Sequence, residues 1–406
     1  MGRVLARTLW ALVFASAQAA ADLKVMVAVD PSDREAIVIS VIDLQATLTR
    51  VTGQSVSAIR SGDLGDVMRS TRTGEYDVYI APAHVAASAL GHGYALIGST
   101  ERDETYQLVA KPGVTTPGEL KNGKIYLTQQ DSVGAYMARG MLNESGQSLK
   151  IFQQVMYRRT SGAGLFAIDT GLVDATVAKS TDVESWVKQN NSKATVVLSS
   201  HAVPGGMSVV VKKSLPDTTR ARIENWFLSA AGTIAGVGRV AYRSDPANYK
   251  YVSALGNWTP SQLPGATIVT AVEVLALQQK GVPIVDVRIA KEYQEKHIRG
   301  AISIPYAEKS LKDVAFDPAM DEWAGPQLLD KNKAVIFHCN GAECWKSYKA
   351  ARVALTKGFK SVYWFRGGFP EWDEHGLAVE SLPTTIAETA SRVAQPVLPA
   401  AATKAH

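Results

Sequence analysis

The chain has 406 residues, 46% of them apolar and 20% charged, with 43 Lys and Arg against 38 Asp and Glu and a formal net charge of +5. That length gives two or three domains with cores of their own, and the ordinary charged fraction excludes a disordered or fibrous chain. The positive excess is mild and dispersed, with no long Lys/Arg block, which argues against nucleic acid and favours a small anionic ligand slightly.

In chain order, the basic start Met1–Arg7, the apolar run Thr8–Ala17 and the small residues Ala17-Gln18-Ala19 or Ala19-Ala20-Ala21 have the make-up of a secretory signal peptide over residues 1–21, cut before Ala20 or Asp22. The apolar run is too short to span a bilayer, and no later one reaches about 18 residues. In a bacterium such a signal implies the periplasm.

Leu23 to Val29 alternates as a strand, and Ser32-Asp33-Arg34-Glu35 reads as a capping box for a helix reaching toward Thr52 and closed by Gly53. Further strands are predicted at Asp77–Ile80, Tyr106–Lys111, Lys124–Thr128, Val173–Ala178 and Met207–Lys212. Helices are predicted over Ser132–Ser145, ended by Gly146, and over Thr218–Ala231. Strands alternating with helices imply an α/β fold with a largely parallel sheet. The Pro-punctuated stretch around Trp258-Thr259-Pro260 has no clear period and reads as a linker, placed at 258–266, between a first domain at 22–257 and a second at 267–382. Residues 383–406 are too simple in composition to pack a core and read as a disordered tail.

Four blocks of the first domain, Tyr76-Asp77-Val78-Tyr79-Ile80-Ala81-Pro82, Glu119 to Ile125, Gly171-Leu172-Val173-Asp174-Ala175 and Lys213-Ser214-Leu215-Pro216, stand in the order and spacing of a known family. From Asp22 to about Trp258 the chain resembles the type II periplasmic solute-binding proteins, specifically the phosphate/phosphite/phosphonate-binding family. The resemblance implies two α/β lobes around a cleft in which helix N-termini, backbone N–H groups and hydroxyls hold an anion. By the same resemblance, Ser132, Tyr136 and Ser161 are the ligand-binding candidates. This sequence keeps only Ser132 and Tyr136 of the family's hydroxyl run and has Ser161 where the family places a His. Read as residues alone, Ser132 is equally an N-cap and Tyr136 a core aromatic.

In the second domain, Thr270-Ala271-Val272-Glu273 is a capping box for a helix that Gly281 ends, and Pro283–Val287 is a short strand. Ala334–His338 is a strand leading into Cys339, Ser347–Lys357 a helix closing at Gly358, and Ser361–Phe365 a strand leading into Arg366-Gly367-Gly368-Phe369-Pro370-Glu371-Trp372. Cys339 therefore stands at the carboxyl end of a parallel strand and before a helix N-terminus, where α/β sheets place their sites. A helix N-terminus and converging N–H groups stabilise a thiolate or a persulfide anion, and Gly341 lets the backbone turn its amides inward.

Val285-Asp286-Val287-Arg288, Glu292-Tyr293, His297 to Pro305, the cysteine loop and Gly367-Gly368-Phe369-x-x-Trp372 resemble the rhodaneses in order and cover the domain end to end. The fold class is thus α/β, a two-lobed type II periplasmic-binding-protein fold followed by a rhodanese domain with a central parallel sheet. The resemblance implies that Cys339 is catalytic. It makes Asn340, Gly341, Ala342, Glu343, Cys344, Trp345, Lys346 and Ser347 the active-site loop, with 340 to 345 cradling an anion. Asp286 and Arg288 read as supporting residues that hold loops and pair with Glu292. Many rhodaneses carry an Arg near the end of this loop. Here Cys344-Trp345-Lys346 stands in its place, and Lys lacks the bidentate fork of Arg.

Cys339 and Cys344 are the only cysteines, too few for a structural disulfide framework. Cys344 admits three readings: a resolving thiol that converts a Cys339 persulfide or sulfenate into a disulfide, a small packing residue, or a second sulfur carrier. Alternation turns His338 away from Cys339 and favours a structural role over that of a base, and the pair of thiols falls short of a four-ligand zinc site, so neither metal nor cofactor is expected. Three functions follow: an exported sulfurtransferase with a sulfane-sulfur donor, a thiol acceptor and a small anionic solute as partners; a solute-binding protein with a non-catalytic rhodanese module; or a Cys339/Cys344 thiol-disulfide protein. No nucleic-acid partner and no transmembrane segment in the mature chain are expected.

Overall fold

The computed structural model describes residues 22–30, 40–158, 162–234 and 238–382. The signal-peptide, capping-box and tail readings at 1–21, 32–35 and 383–406 lie outside them, as does Ser161. The described chain separates into two compact units, the first running to Leu64 and from Glu75 to Tyr249, the second comprising Gly65–Gly74 and the residues from Lys250 on.

The first unit begins with β1 (Leu23–Ala28), α1 (Val41–Thr52) and β2 (Val56–Ser61), after which α2 (Leu64–Thr73) belongs to the second unit from Gly65 onward. Next come β3 (Val78–Ala81), α3 (Ala83–Gly91) and β4 (Tyr94–Ser99). Ser40 caps α1 through Asp43 N, and Gly53 ends it at φ 71°, the left-handed C-terminal conformation that its sequence position predicts. The chain then crosses into β5 (Tyr106–Ala110), β6 (Lys124–Leu127), α4 (Val133–Glu144), β7 (Gln154–Tyr157), α5 (Gly162–Asp169), β8 (Ala175–Lys179), α6 (Ser180–Asn190) and β9 (Thr195–Ser199). It returns as β10 (Ser208–Lys212), followed by α7 (Asp217–Leu228), the hairpin of β11 (Thr233–Ile234) and β12 (Gly238–Arg239), and α8 (Pro246–Ala254).

Two sheets result, β2-β1-β3-β10-β4 and β7-β6-β8-β5-β9. In each, four strands run in one direction, and the fourth in sheet order, the first after a crossing, runs antiparallel to both neighbours. The two sheets therefore share one topology, the doubly crossed arrangement of a type II periplasmic-binding-protein fold. The crossing segments meet at a bridge between Glu104 and Val203, with N–H···O distances of 2.8 and 2.9 Å. Helix α7 stops at Leu228, three residues before the predicted end. The Ser229 hydroxyl donates to the Trp226 carbonyl at 2.7 Å, and the chain turns so tightly at Gly232 that a Cβ there would lie 2.2 Å from the same oxygen.

In the second unit, β13 (Ala266–Ile268), α9 (Ala271–Gln279), β14 (Ile284–Asp286), α10 (Ala290–Glu295), β15 (His297–Ile298) and β16 (Ile302–Ser303) precede α11 (Gly325–Leu328). Then come β17 (Ala334–His338), α12 (Trp345–Thr356), β18 (Ser361–Phe365), α13 (Gly368–Glu374) and β19 (Val379–Glu380). The sheet β13-β18-β17-β14-β16 is parallel throughout. Such a sheet is buried on both faces, and alternation along β17 divides its residues accordingly. Val335, Phe337 and Cys339 enter one core with Trp345, Tyr348 and Trp364, while Ile336 enters the other with Phe365, Phe369 and Trp372. The predicted capping box opens α9: Glu273 accepts from the Thr270 N–H at 2.8 Å.

Candidate functional site

Cys339 follows the last residue of β17 and is 1% exposed. The loop after it is held from three sides. Phe369 N donates to the Cys339 carbonyl at 2.8 Å, Thr259 N and Oγ1 donate to the Ala342 carbonyl at 2.9 and 2.6 Å, and Cys344 N donates to the Gly341 carbonyl at 3.0 Å. Arg366 in turn fixes Thr259, through its carbonyl at 2.8 Å and its hydroxyl at 3.2 Å. The turn needs Gly341, at φ 89°. Among the described residues, the N–H groups of Gly341, Ala342 and Glu343 meet no backbone or side-chain acceptor, and Cys344 is the N-cap of α12. The loop can thus present amide donors and a helix N-terminus to negative charge.

Cys339 and Cys344 are joined by a disulfide, with their Cα atoms 6.2 Å apart. Of the remaining loop residues, Trp345 is buried and donates its indole N–H to the Asn257 carbonyl at 2.6 Å. Buried Ser347 accepts from Trp364 Nε1 at 3.1 Å. Lys346 is half-buried.

Beneath the loop, Arg288 forks onto Asp286, with Nε 3.0 Å from both carboxylate oxygens and Nη2 2.7 Å from Oδ2; the pair is fully buried. Arg288 is therefore matched by Asp286 itself and not by Glu292. Burial raises the Asp286 carboxyl, but the neighbouring His338 and Arg288 pull harder and hold it below the usual range. His338 lies 3.6 Å from Asp286 Oδ2, on the face opposite Cys339, and burial pushes its ring down to about 4, so it is neutral and structural at pH 7.

Two arginines that sequence reasoning passed over also reach this loop. They belong to α2, which lies far away in sequence. Arg72 Nη1 pairs with Glu343 Oε2 at 2.5 Å and its Nε donates to the Asn340 carbonyl at 3.0 Å; both partners of the pair are less than 10% exposed at the side chain. Arg69 Nη1 reaches Glu292 Oε1 at 3.2 Å, and that oxygen also accepts from Asn340 Nδ2 at 2.6 Å. Local periodicity carries no signal for a contact of this separation.

In the first unit, Ser132 caps α4: fully buried, its hydroxyl accepts from Ala135 N at 3.2 Å and lies 2.5 Å from Thr128 Oγ1. Tyr136 is buried, with the Arg139 guanidinium 4.5 Å from its ring centroid. The ring of His84, in the first turn of α3, has its centroid 4.9 Å from that of Tyr136. The N-terminal ends of α3 and α4, one from each lobe, therefore converge. His84 is 1% exposed and, among the described residues, neither ring nitrogen has a hydrogen-bond partner. Burial pushes it down to about 4 against the opposing pull of Asp30 and Asp131. The sequence signal that would have found it is a His directly after Pro82-Ala83 at the end of a buried strand.

Comparison with known proteins matches residues 28–250 to the family of ABC transporter, phosphonate, periplasmic substrate-binding proteins and residues 270–375 to the rhodanese-like domain. The chain is 34% identical over 113 residues to the HTH-type transcriptional regulator Rv0324 of Mycobacterium tuberculosis, covering 28% of this chain and only 44% of that protein. It is 26% identical over 121 residues to the chloroplastic thiosulfate sulfurtransferase 16 of Arabidopsis thaliana, covering 30% of this chain and 97% of the relative. Among solved structures, PhnD1 of Prochlorococcus marinus in complex with methylphosphonate is 16% identical, with a TM-score of 0.42 over 58% of this chain and 96% of that one.

Proposed function

The chain belongs to the ABC transporter, phosphonate, periplasmic substrate-binding protein family and carries a rhodanese-like domain at residues 270–375, and from that premise we propose that it is an exported sulfurtransferase whose first domain binds a small anionic solute. Residues 1–21 act as the export signal. The observation that carries the reading is the position of Cys339, the first residue after a central parallel strand, in a loop fixed at Cys339 O, Gly341 O and Ala342 O with amide donors left for an anion.

The reduced Cys339 thiolate attacks the sulfane sulfur of a donor such as thiosulfate. The donor's S–S bond breaks, sulfite leaves with the electron pair, and Cys339 carries the sulfur as a persulfide. An acceptor thiolate then takes the outer sulfur and releases the Cys339 thiolate. The loop amides and the N-terminus of α12 stabilise the persulfide anion between the two steps. In the first unit, His84 and the converging ends of α3 and α4 favour a compact oxyanion, to which a ring N–H can donate.

The disulfide favours a second reading, in which Cys344 resolves the intermediate. Its thiolate attacks Cys339 Sγ, hydrosulfide leaves, and a dithiol reductant must restore the pair. Mass spectrometry of the reduced full-length chain after thiosulfate distinguishes the two. A gain of about 32 Da on Cys339 supports sulfur carriage, whereas loss of two protons across the pair in the chain, with no 32 Da adduct on Cys339 in Cys344→Ser, overturns it.

A further inference from the structure

The cysteine loop contains an acid, Glu343, directly before Cys344, and no arginine. An uncompensated carboxylate here opposes a thiolate, a persulfide and an incoming sulfur oxyanion alike. Several other charges around the loop already have partners, Glu371 on α13 among them, which accepts from Ala271 N at 2.7 Å, while Arg366 keeps its charge and hydrogen-bonds neutral Thr259. Asp286 is paired with Arg288 and Glu292 with Arg69, while His338 is neutral. Besides Arg366, that leaves Glu343, half-buried Lys346 in the loop itself, and Arg72.

We propose that Arg72, from a helix 267 residues upstream of the nucleophile, is a positioning residue of the sulfur-carrying loop: it cancels the charge of Glu343 and, through the Asn340 carbonyl, ties down the residue next to Cys339. One guanidinium spans both ends of the turn, 3.0 Å from Asn340 O and 2.5 Å from Glu343 Oε2, at side chains 8% and 9% exposed. A fork of fixed geometry can do this and a lysine ammonium cannot. Arg69 braces the same turn one step removed, since Glu292 Oε1 joins it to Asn340 Nδ2. The cation that many rhodanese loops carry internally is here supplied by α2.

This rests on Cys339 acting as the sulfur nucleophile, but its test reads the thiol and not sulfur transfer. In full-length Cys344→Ser, Cys339 is the only thiol left, and its alkylation by iodoacetamide at neutral pH follows the thiolate fraction. Adding Arg72→Ala should slow alkylation roughly three- to tenfold, Glu343→Gln alone should speed it, and the two together should return it close to the parent rate. Arg72→Lys should recover part of the rate, as charge without the fork. Equal rates in the parent and Arg72→Ala, with unchanged circular dichroism and thermal midpoint, would overturn the proposal. Should Arg72→Ala fail to fold, Glu343→Gln decides, and no acceleration there overturns it too. Failure of the chain to take up sulfur from any donor would refute the sulfurtransferase reading while leaving this ladder of rates intact.

Discussion

A Cβ added to Gly368 would lie 2.2 Å from the carbonyl oxygen of Cys339 and 2.7 Å from the amide nitrogen of Gly341. The first turn of α13 is thus in backbone contact with the peptide of Cys339, and Gly368 also has φ 61°. Gly368→Ala should cost about 2–4 kcal/mol of stability, because both obstacles are backbone and the φ is unfavourable for any side chain. In the fraction that folds, sulfur loading of Cys339 should fall at least about tenfold as the loop amides shift. Urea unfolding and the mass of the loaded protein measure the two effects.

Arg288→Ala would leave the Asp286 carboxylate buried without its fork. The expected loss is about 3–5 kcal/mol, seen as a lower urea midpoint. Arg288→Lys should recover only part of it, since one ammonium cannot cover both oxygens.

His338 gives a pH dependence of definite sign. In the unfolded chain the ring protonates near 6.5, whereas in the fold it resists until about 4. Between those values the unfolded state binds more protons, so stability falls as pH drops through that window, by on the order of 3 kcal/mol in full. Thermal midpoints from pH 7 to 4 should show this decline for the second unit and a shallower one in His338→Gln.

Reduced protein given thiosulfate without a reductant should release about one equivalent of sulfide and end as the disulfide if Cys344 resolves the persulfide. Cys344→Ser should release none and keep its added sulfur, and Cys339→Ser should gain none. Sulfide and intact mass measured on the same samples test all three.

An anion beside His84 would raise the ring from about 4, so binding should take up a proton. Affinity for sulfate, which keeps its charge across this range, should strengthen as pH falls from 8 to 6, by at most about tenfold per unit, and His84→Gln should flatten the profile. Calorimetry in buffers of different ionisation enthalpy checks it.

Most of the second unit was legible because its signals are local. The Thr270/Glu273 capping box, the apolar run Ala334–His338 and the turn glycines at 281, 341 and 358 each act within a few residues of where they stand. What was not legible depends on residues brought together from afar. Arg72 meets Glu343 across 271 positions. Fully buried Lys349, which helical periodicity would place on a wet face, is paired with Glu308 at 2.7 Å and bonded to Ser310. His84 is marked in the sequence only by its place after Pro82-Ala83, and its partner Tyr136 comes from α4 and not from its own helix.

The insertion of β10 between β3 and β4 sets the order in which the first unit can form. The strands β5 to β9 occupy a continuous stretch, Tyr106 to Ser199, so the second sheet is complete as soon as that stretch has left the ribosome. The first sheet is not: β3 and β4 share no ladder until Ser208–Lys212 arrives, more than a hundred residues later in the chain. Two nascent strand edges, one of them the wholly buried Val78–Ala81, therefore wait open during synthesis. Slowing elongation past residue 200 should lengthen that wait and the need for a holding chaperone, whereas the same delay once Lys212 has left the ribosome should not.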